Sequence, residues 1–107
     1  MASECVQVLT TAGSEEEAEL IASTLVERRL AACVQVLGPV VSRYRWQGEV
    51  EQAREWQCLA KTTATVYPEV EAAIRELHSY EEPEILAIPV LAGSPGYLAW
   101  IGENLVE

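Results

Sequence analysis

A chain of 107 residues has room for one compact core and too little for two. Half of it is hydrophobic, which argues against disorder, and a net charge of −10 opposes binding to a polyanionic phosphate backbone. The longest apolar run, Ile85–Ala92, is broken by Pro89 and is far short of a membrane span, and Met1-Ala2-Ser3-Glu4 lacks the regions of a signal peptide, so a cytoplasmic location is expected.

Every acid is a glutamate, 17 against 7 basic residues, and there is no aspartate. The acidity serves solubility first, while divalent cations and basic partners stay electrostatically allowed. Cys5, Cys33 and Cys58 are odd in number and widely spaced, which fits neither a disulfide framework nor a zinc knuckle. Each lies in an apolar run of strand type, where a free thiol packs as a small hydrophobe; metal ligation is the competing reading.

Val6-Gln7-Val8-Leu9 reads as a first strand. Ser14-Glu15-Glu16-Glu17 is a capping box, in which the serine and the third glutamate satisfy each other's backbone donors. Ala18, Ile21, Ala22, Leu25 and Val26 then recur at helical spacing and predict a helix to about Arg29. Ala32 to Leu37 is a second strand, continued by Val40 to Trp46, with a bend or bulge expected at Gly38-Pro39. Gln47-Gly48 makes a tight turn into a long third strand, roughly Glu49 to Thr62.

Pairing across that turn sets Trp46 opposite Glu49 and Tyr44 opposite Glu51, with Arg43, Arg45 and Arg54 on the other face. Nearer the core, alternation turns Trp56, Cys58, Ala60 and Thr62 inward. That is the opposite parity from Glu49 and Glu51, so the Tyr44 and Trp46 face needs a bulge before it can join the core, and Pro39 supplies the candidate.

A second helix spans about Val66 to His78, with Pro68 in its first turn and Val70, Ala73, Ile74 and Leu77 as its buried stripe. Glu84 to Leu91 is a fourth strand. Ser94-Pro95 caps and opens a last short helix carrying Tyr97, Leu98, Trp100, Ile101 and Leu105. The order β-α-β-β-α-β with an appended helix predicts an α+β fold of the ferredoxin-like split βαβ type, one domain over residues 1–107 with two helices on one face of an antiparallel sheet.

Five segments in this order are highly specific: Glu27-Arg28-Arg29-Leu30-Ala31-Ala32-Cys33-Val34, Tyr44-Arg45-Trp46-Gln47-Gly48, Lys61-Thr62-Thr63, the stretch from His78 to Ile85, and Tyr97-Leu98-Ala99-Trp100. Through them the chain resembles the CutA divalent-ion-tolerance family over nearly its whole length. The resemblance implies a homotrimer of ferredoxin-like subunits, a link to tolerance of copper and other divalent metals, and no known enzymatic activity. The family commonly has His-Pro-Tyr with an apolar residue following, where this chain has Ser79 and Glu82. Some members carry a copper-site cysteine where this chain has Thr10 and a histidine where it has Leu77, so His78 is the one residue of that set present as a metal ligand.

The residues themselves agree with assembly. The hairpin of Val40–Trp46 and Glu49–Thr62 is far longer than the usual strand of about 5–6 residues, and two small helices leave Tyr44, Trp46 and Trp56 in need of cover. Catalysis has little to stand on. Without aspartate and with one histidine no Ser-His-Asp or Cys-His-Asp set is available, there is no phosphate-cradling glycine loop, and paired carboxylates such as Glu81 and Glu82, usually solvated in a loop, are what is left for acid–base work.

Two positions keep two readings. His78 is either a cation capping the second helix or, with Glu81, Glu82 and Glu84 nearby, a site for a borderline divalent metal such as Cu²⁺. Lys61, the sole lysine, is either a gatekeeper against edge pairing or the receiver of an anion in an intersubunit cleft of Trp46, Lys61, Tyr80, Glu84 and Trp100. The expected function is therefore a non-enzymatic trimer linked to divalent-cation tolerance that binds copper weakly and requires no cofactor. The alternative is a trimeric signalling protein that binds a small molecule or anion, resembling the PII nitrogen-regulatory proteins.

Overall fold

The computed structural model describes residues 4–106. The expected absence of a leader concerns Met1–Ser3 as well and so lies largely outside the described residues. In chain order the elements are β1 (Cys5–Ala12), α1 (Glu15–Glu27), β2 (Cys33–Trp46), β3 (Glu49–Thr63), α2 (Tyr67–Leu77), β4 (Ile85–Pro89) and α3 (Pro95–Glu103). The strands form one four-stranded sheet in the order β2-β3-β1-β4, and every neighbouring pair is antiparallel. The α+β class is as the sequence predicts.

Alternation sorts the sheet into two faces. Val6 and Val8 of β1 and Cys58, Ala60 and Thr62 of β3 are buried on the helix side. Ile21 and Leu25 of α1 and Ile74 of α2 are fully buried above them, each worth about 1.5–3 kcal/mol of burial. Ile101 of α3 and Leu105 close the same cluster. The other face carries no helix. Leu59 pairs with Leu9, which pairs with Leu86, and Lys61 pairs with Gln7, which pairs with Ile88. Leu37, Leu86 and Ile88 stay exposed there.

The bulge falls where it was expected. Register shifts between Leu37, opposite Gln57, and Val40, opposite Glu55, so Gly38 and Pro39 face Trp56 alone. One extra residue in β2 reverses its parity, which reconciles the inward-facing base of the hairpin with Tyr44 and Trp46 on the opposite face. The tip follows the predicted pairing, Trp46 with Glu49 and Tyr44 with Glu51. Gln47 (φ 51°) and Gly48 (φ 83°) both take the left-handed conformation that a two-residue turn between twisted strands requires. The projecting ribbon draws the molecule out to 46 × 25 × 21 Å.

Several boundaries differ from expectation. β1 runs on to Ala12, and α1 stops at Glu27 rather than Arg29. Arg29 is left-handed (φ 60°), and the N–H groups of Arg28, Arg29 and Leu30 turn back to the carbonyls of Thr24, Val26 and Leu25, closing the last turn. β4 is shorter than Glu84 to Leu91. At its start the carbonyl of Thr11, beyond the last pair of Thr10 with Ile85, accepts from His78 instead. At its end Pro89 has no N–H to extend the ladder, and Val90 donates to Cys5 O before the chain turns away.

Caps also differ. The capping box is half made: Glu17 N donates to Ser14 Oγ, while the Glu17 carboxylate reaches across to Ser79. Ser94 occupies the N-cap of α3 without a side-chain cap bond. Only Cys58 is a fully buried thiol; Cys5 and Cys33 are half-exposed, and Cys33 Sγ lies 3.8 Å from Tyr97 Oη. Among the described residues no helix is long and apolar enough to cross a membrane.

Candidate ligand cavity

The segment between α2 and β4 folds back over the end of β1 and meets the base of the ribbon. His78 is its pivot. The side chain is fully buried, its Nε2 lies 2.6 Å from Thr11 O, and its Nδ1 accepts from Tyr80 N at 3.1 Å. Nε2 must donate to a carbonyl, so these two bonds assign the neutral tautomer with hydrogen on Nε2. The ring thus ties α2 to β1 instead of capping its own helix. Glu17 Oε2 stands 3.6 Å from Nδ1, but its carboxylate is held by Ser79 N and Ser79 Oγ, each at 3.2 Å. A metal ion at His78 would have to displace one of the two backbone partners.

Tyr80 carries the arrangement onward. Its ring lies 4.8 Å from the His78 ring, and its hydroxyl donates to Glu55 Oε2 at 2.9 Å. Burial, then the bond to Glu55 and that carboxylate's charge, push the phenol up to about 12, so it remains a donor at any physiological pH. Gly13 makes room for it, since a Cβ there would stand 2.9 Å from Tyr80 Oη. Glu55 is only 8% exposed, and among the described residues no cationic side chain pairs with it.

Beside this pair opens a cavity of about 710 Å³, walled by Tyr44, Trp46 and Tyr80 and bordered by Glu51, Glu55, Glu81, Glu82 and Glu84. Arg43 is the one cationic residue in its lining, and its guanidinium donates across the ribbon to Gln52 Oε1. Glu82 is already paired, 3.3 Å from Arg75. A smaller recess, about 430 Å³ beside Arg29 and Leu105, gathers no comparable set of donors.

Of the predicted cleft residues, Trp46, Tyr80 and Glu84 line this one cavity, while Lys61 and Trp100 lie outside it within the chain. Lys61 Nζ donates to Gln35 Oε1 on the helix-free face, and Trp100 stacks on Tyr97 at 5.6 Å. Among the described residues, no three His, Cys or Glu side chains come together as a metal centre requires. Sequence reasoning passed over Glu55 and Glu17. The signal for Glu55 was available in part, because the bulge that reverses β2 also puts position 55 opposite Val40 on the ribbon's Tyr44 face. Glu17 was hidden by its cap position.

Fold and cavity together define a small α+β domain with an acidic, aromatic-walled recess at the root of a long ribbon. Residues 6–104 match the family model described as CutA1 divalent ion tolerance protein. A divalent-cation tolerance protein CutA of Thermus thermophilus is 47% identical over 97 residues, covering 91% of this chain and 94% of its own length. One of Archaeoglobus fulgidus is 41% identical over 98 residues, covering 92% and 95%. The solved Thermus thermophilus structure superposes with a TM-score of 0.94 at 45% identity over 95% of this chain and 99% of its own. CutA from Xylella fastidiosa gives 0.94 at 39% identity over 97% and 100%. The chain belongs to the CutA1 divalent ion tolerance family.

Proposed function

We propose that this chain serves divalent-cation tolerance as a non-enzymatic homotrimer that binds divalent ions, copper included, only weakly. The observation that carries the reading is the donor set at His78. Among the described residues one imidazole nitrogen and the adjacent Glu17 carboxylate are not joined by a third His, Cys or Glu donor, and both already hold backbone or hydroxyl partners. Cu²⁺ binds tightly through several nitrogen or thiolate donors, so two occupied donors give an affinity on the order of micromolar or poorer. The carboxylates at the cavity mouth add hard oxygen ligands that suit copper poorly on their own.

Assembly is supported by what the fold leaves bare. Val41 (63%), Val50 (61%) and Trp46 (56%) are exposed along the ribbon, and Leu86 (52%) on the helix-free face. A second copy would cover this area, and it would also bring Lys61 and Trp100 of one chain toward the cavity of another. The matches reported above are all to CutA proteins and lend no support to a nitrogen-regulatory role.

The test is calorimetric Cu²⁺ titration of the wild type and His78→Ala at neutral pH. Weak binding that disappears in the variant is the expected result. Nanomolar affinity, or an isotherm unaltered in His78→Ala, would overturn it.

A further inference from the structure

Assembly through the helix-free faces leaves the opposite side of the ribbon bare. Alternation from Cys58 and Ala60, buried beneath the helices, carries that side along β3 to Arg54, Gln52 and Val50, whose partners on β2 are Val41, Arg43 and Arg45. Tyr44 and Trp46 share the other face with Glu49 and Glu51. Contacts made through Leu86 and Ile88 therefore do not reach Val41 (63% exposed) or Val50 (61%).

The charge on this outer face is positive. Arg43 is turned to Gln52, while Arg45 and Arg54 are exposed and pair with no carboxylate among the described residues. Elsewhere Arg28 and Arg75 each hold a glutamate. The ribbon thus presents two unpaired guanidinium groups with bare valines between them, in a chain that carries 17 glutamates.

A surface of the opposite sign lies on the helix side, on α1. Glu16, Leu20, Ser23 and Glu27 recur at helical spacing on the stripe opposite the buried Ala18, Ile21, Ala22 and Leu25, and all four are exposed. Glu19 flanks the stripe, and among the described residues Glu16, Glu19 and Glu27 take part in no ion pair. Leu20, at its middle, is 51% exposed. The dimensions agree as well. Eleven residues of helix set Glu16 and Glu27 about 16 Å apart, and the ribbon rows that carry Arg45 and Arg54 are about 14 Å apart.

We infer that the outer face of the ribbon docks on the outer stripe of α1 in a second copy of this chain, one that belongs to another assembly. Arg45 and Arg54 take the α1 glutamates in charge-assisted hydrogen bonds, and Val41 and Val50 cover Leu20. The contact is head-to-tail, ribbon to helix, so each chain offers one of each surface. A net charge of −10 opposes approach at long range, but in about 0.15 M salt screening acts within about 8 Å and the facing groups decide. One helix stripe on one ribbon is a small interface, and the association it gives is weak. The inference goes beyond the trimer and copper readings and uses neither His78 nor the cavity.

Sedimentation of the full chain in about 0.15 M salt, from about 10 µM to about 1 mM, tests it. Species larger than the trimer are expected to grow with concentration. Arg45→Glu with Arg54→Glu should weaken that growth about tenfold or more and leave the trimer itself unchanged. Glu16→Lys with Glu27→Lys should do the same from the other side. A mixture of the two reversed variants should associate again, because each then supplies the surface that the other can bind.

Three results would overturn the inference: no species above the trimer at the highest concentration, no recovery in the mixture, or dissociation of the trimer in the arginine variant, which would place the outer face inside the assembly. The trimer reading is tested separately by the same data. A trimer with nothing larger sinks this inference alone, and larger species that grow directly from monomers sink the trimer reading alone.

Discussion

Thr10 sits on the helix side of β1, 1% exposed, between Cys58 and Ile85 on the flanking strands. Its hydroxyl is the one buried side-chain polar atom among the described residues that lacks a hydrogen-bond partner. Replacing such a group by an apolar isostere removes a desolvation cost without opening a cavity. Thr10→Val should therefore stabilise the protein by about 1 kcal/mol in denaturant unfolding. A loss of stability would reveal a bound water at that hydroxyl. Tyr80 makes a pH prediction. Its phenol is raised from 10.0 to about 12 in the folded protein, so the folded state holds this proton more tightly than the unfolded chain does. The stability it contributes is complete below pH 10 and is lost as pH rises from 10 toward 12. The difference in unfolding free energy between wild type and Tyr80→Phe should shrink across that window, and a difference that is flat with pH would contradict the bond to Glu55.

At the scale of elements, the ribbon depends on its bulge. A Cβ at Gly38 would lie 2.5 Å from Trp56 Cδ1 and 3.1 Å from Trp56 Cα, and the backbone atom cannot swing aside as a flexible side chain would. Gly38→Ala should cost about 1–3 kcal/mol, a penalty typical of overpacking, and should loosen the hairpin from its base outward. Hydrogen exchange at Val40–Glu55 compared with β1 would show it; uniform change throughout the sheet would not fit. Most of this element was legible from the residues. Strict alternation on both strands, together with a proline at one position, forced the parity conflict and located its resolution. The ends of β4 were not legible, because they are set by partners distant in sequence: Thr11 O is claimed by His78 at one end, and β1 runs out at the other.

For the whole molecule, an apolar sheet face and an extended ribbon predict self-association. Light scattering coupled to gel filtration should give about three times the 11.8 kDa chain at micromolar concentration. Leu86→Glu with Ile88→Glu should dissociate the assembly if the helix-free face is its core, since two carboxylates would be buried without partners there. A wild-type monomer would leave both surfaces unexplained.

The sequence by itself determined the order of elements, the class of fold, the bulge, the tip pairing and the family, because each rests on local periodicity, proline chemistry or motif spacing. Tertiary structure alone decided the site. Glu17, Glu55, His78 and Tyr80 span 63 positions along the chain, from 17 to 80, yet Glu17 of α1 holds Ser79, Tyr80 N donates to His78, and the Tyr80 hydroxyl reaches Glu55 at the cavity. Whether an imidazole offers its nitrogens outward or uses them on backbone depends on which carbonyl and which amide lie beside it. Spacing along a chain carries no information about that. The same holds for Glu55, whose burial comes from a tyrosine hydroxyl that reaches it only because a glycine leaves the way open.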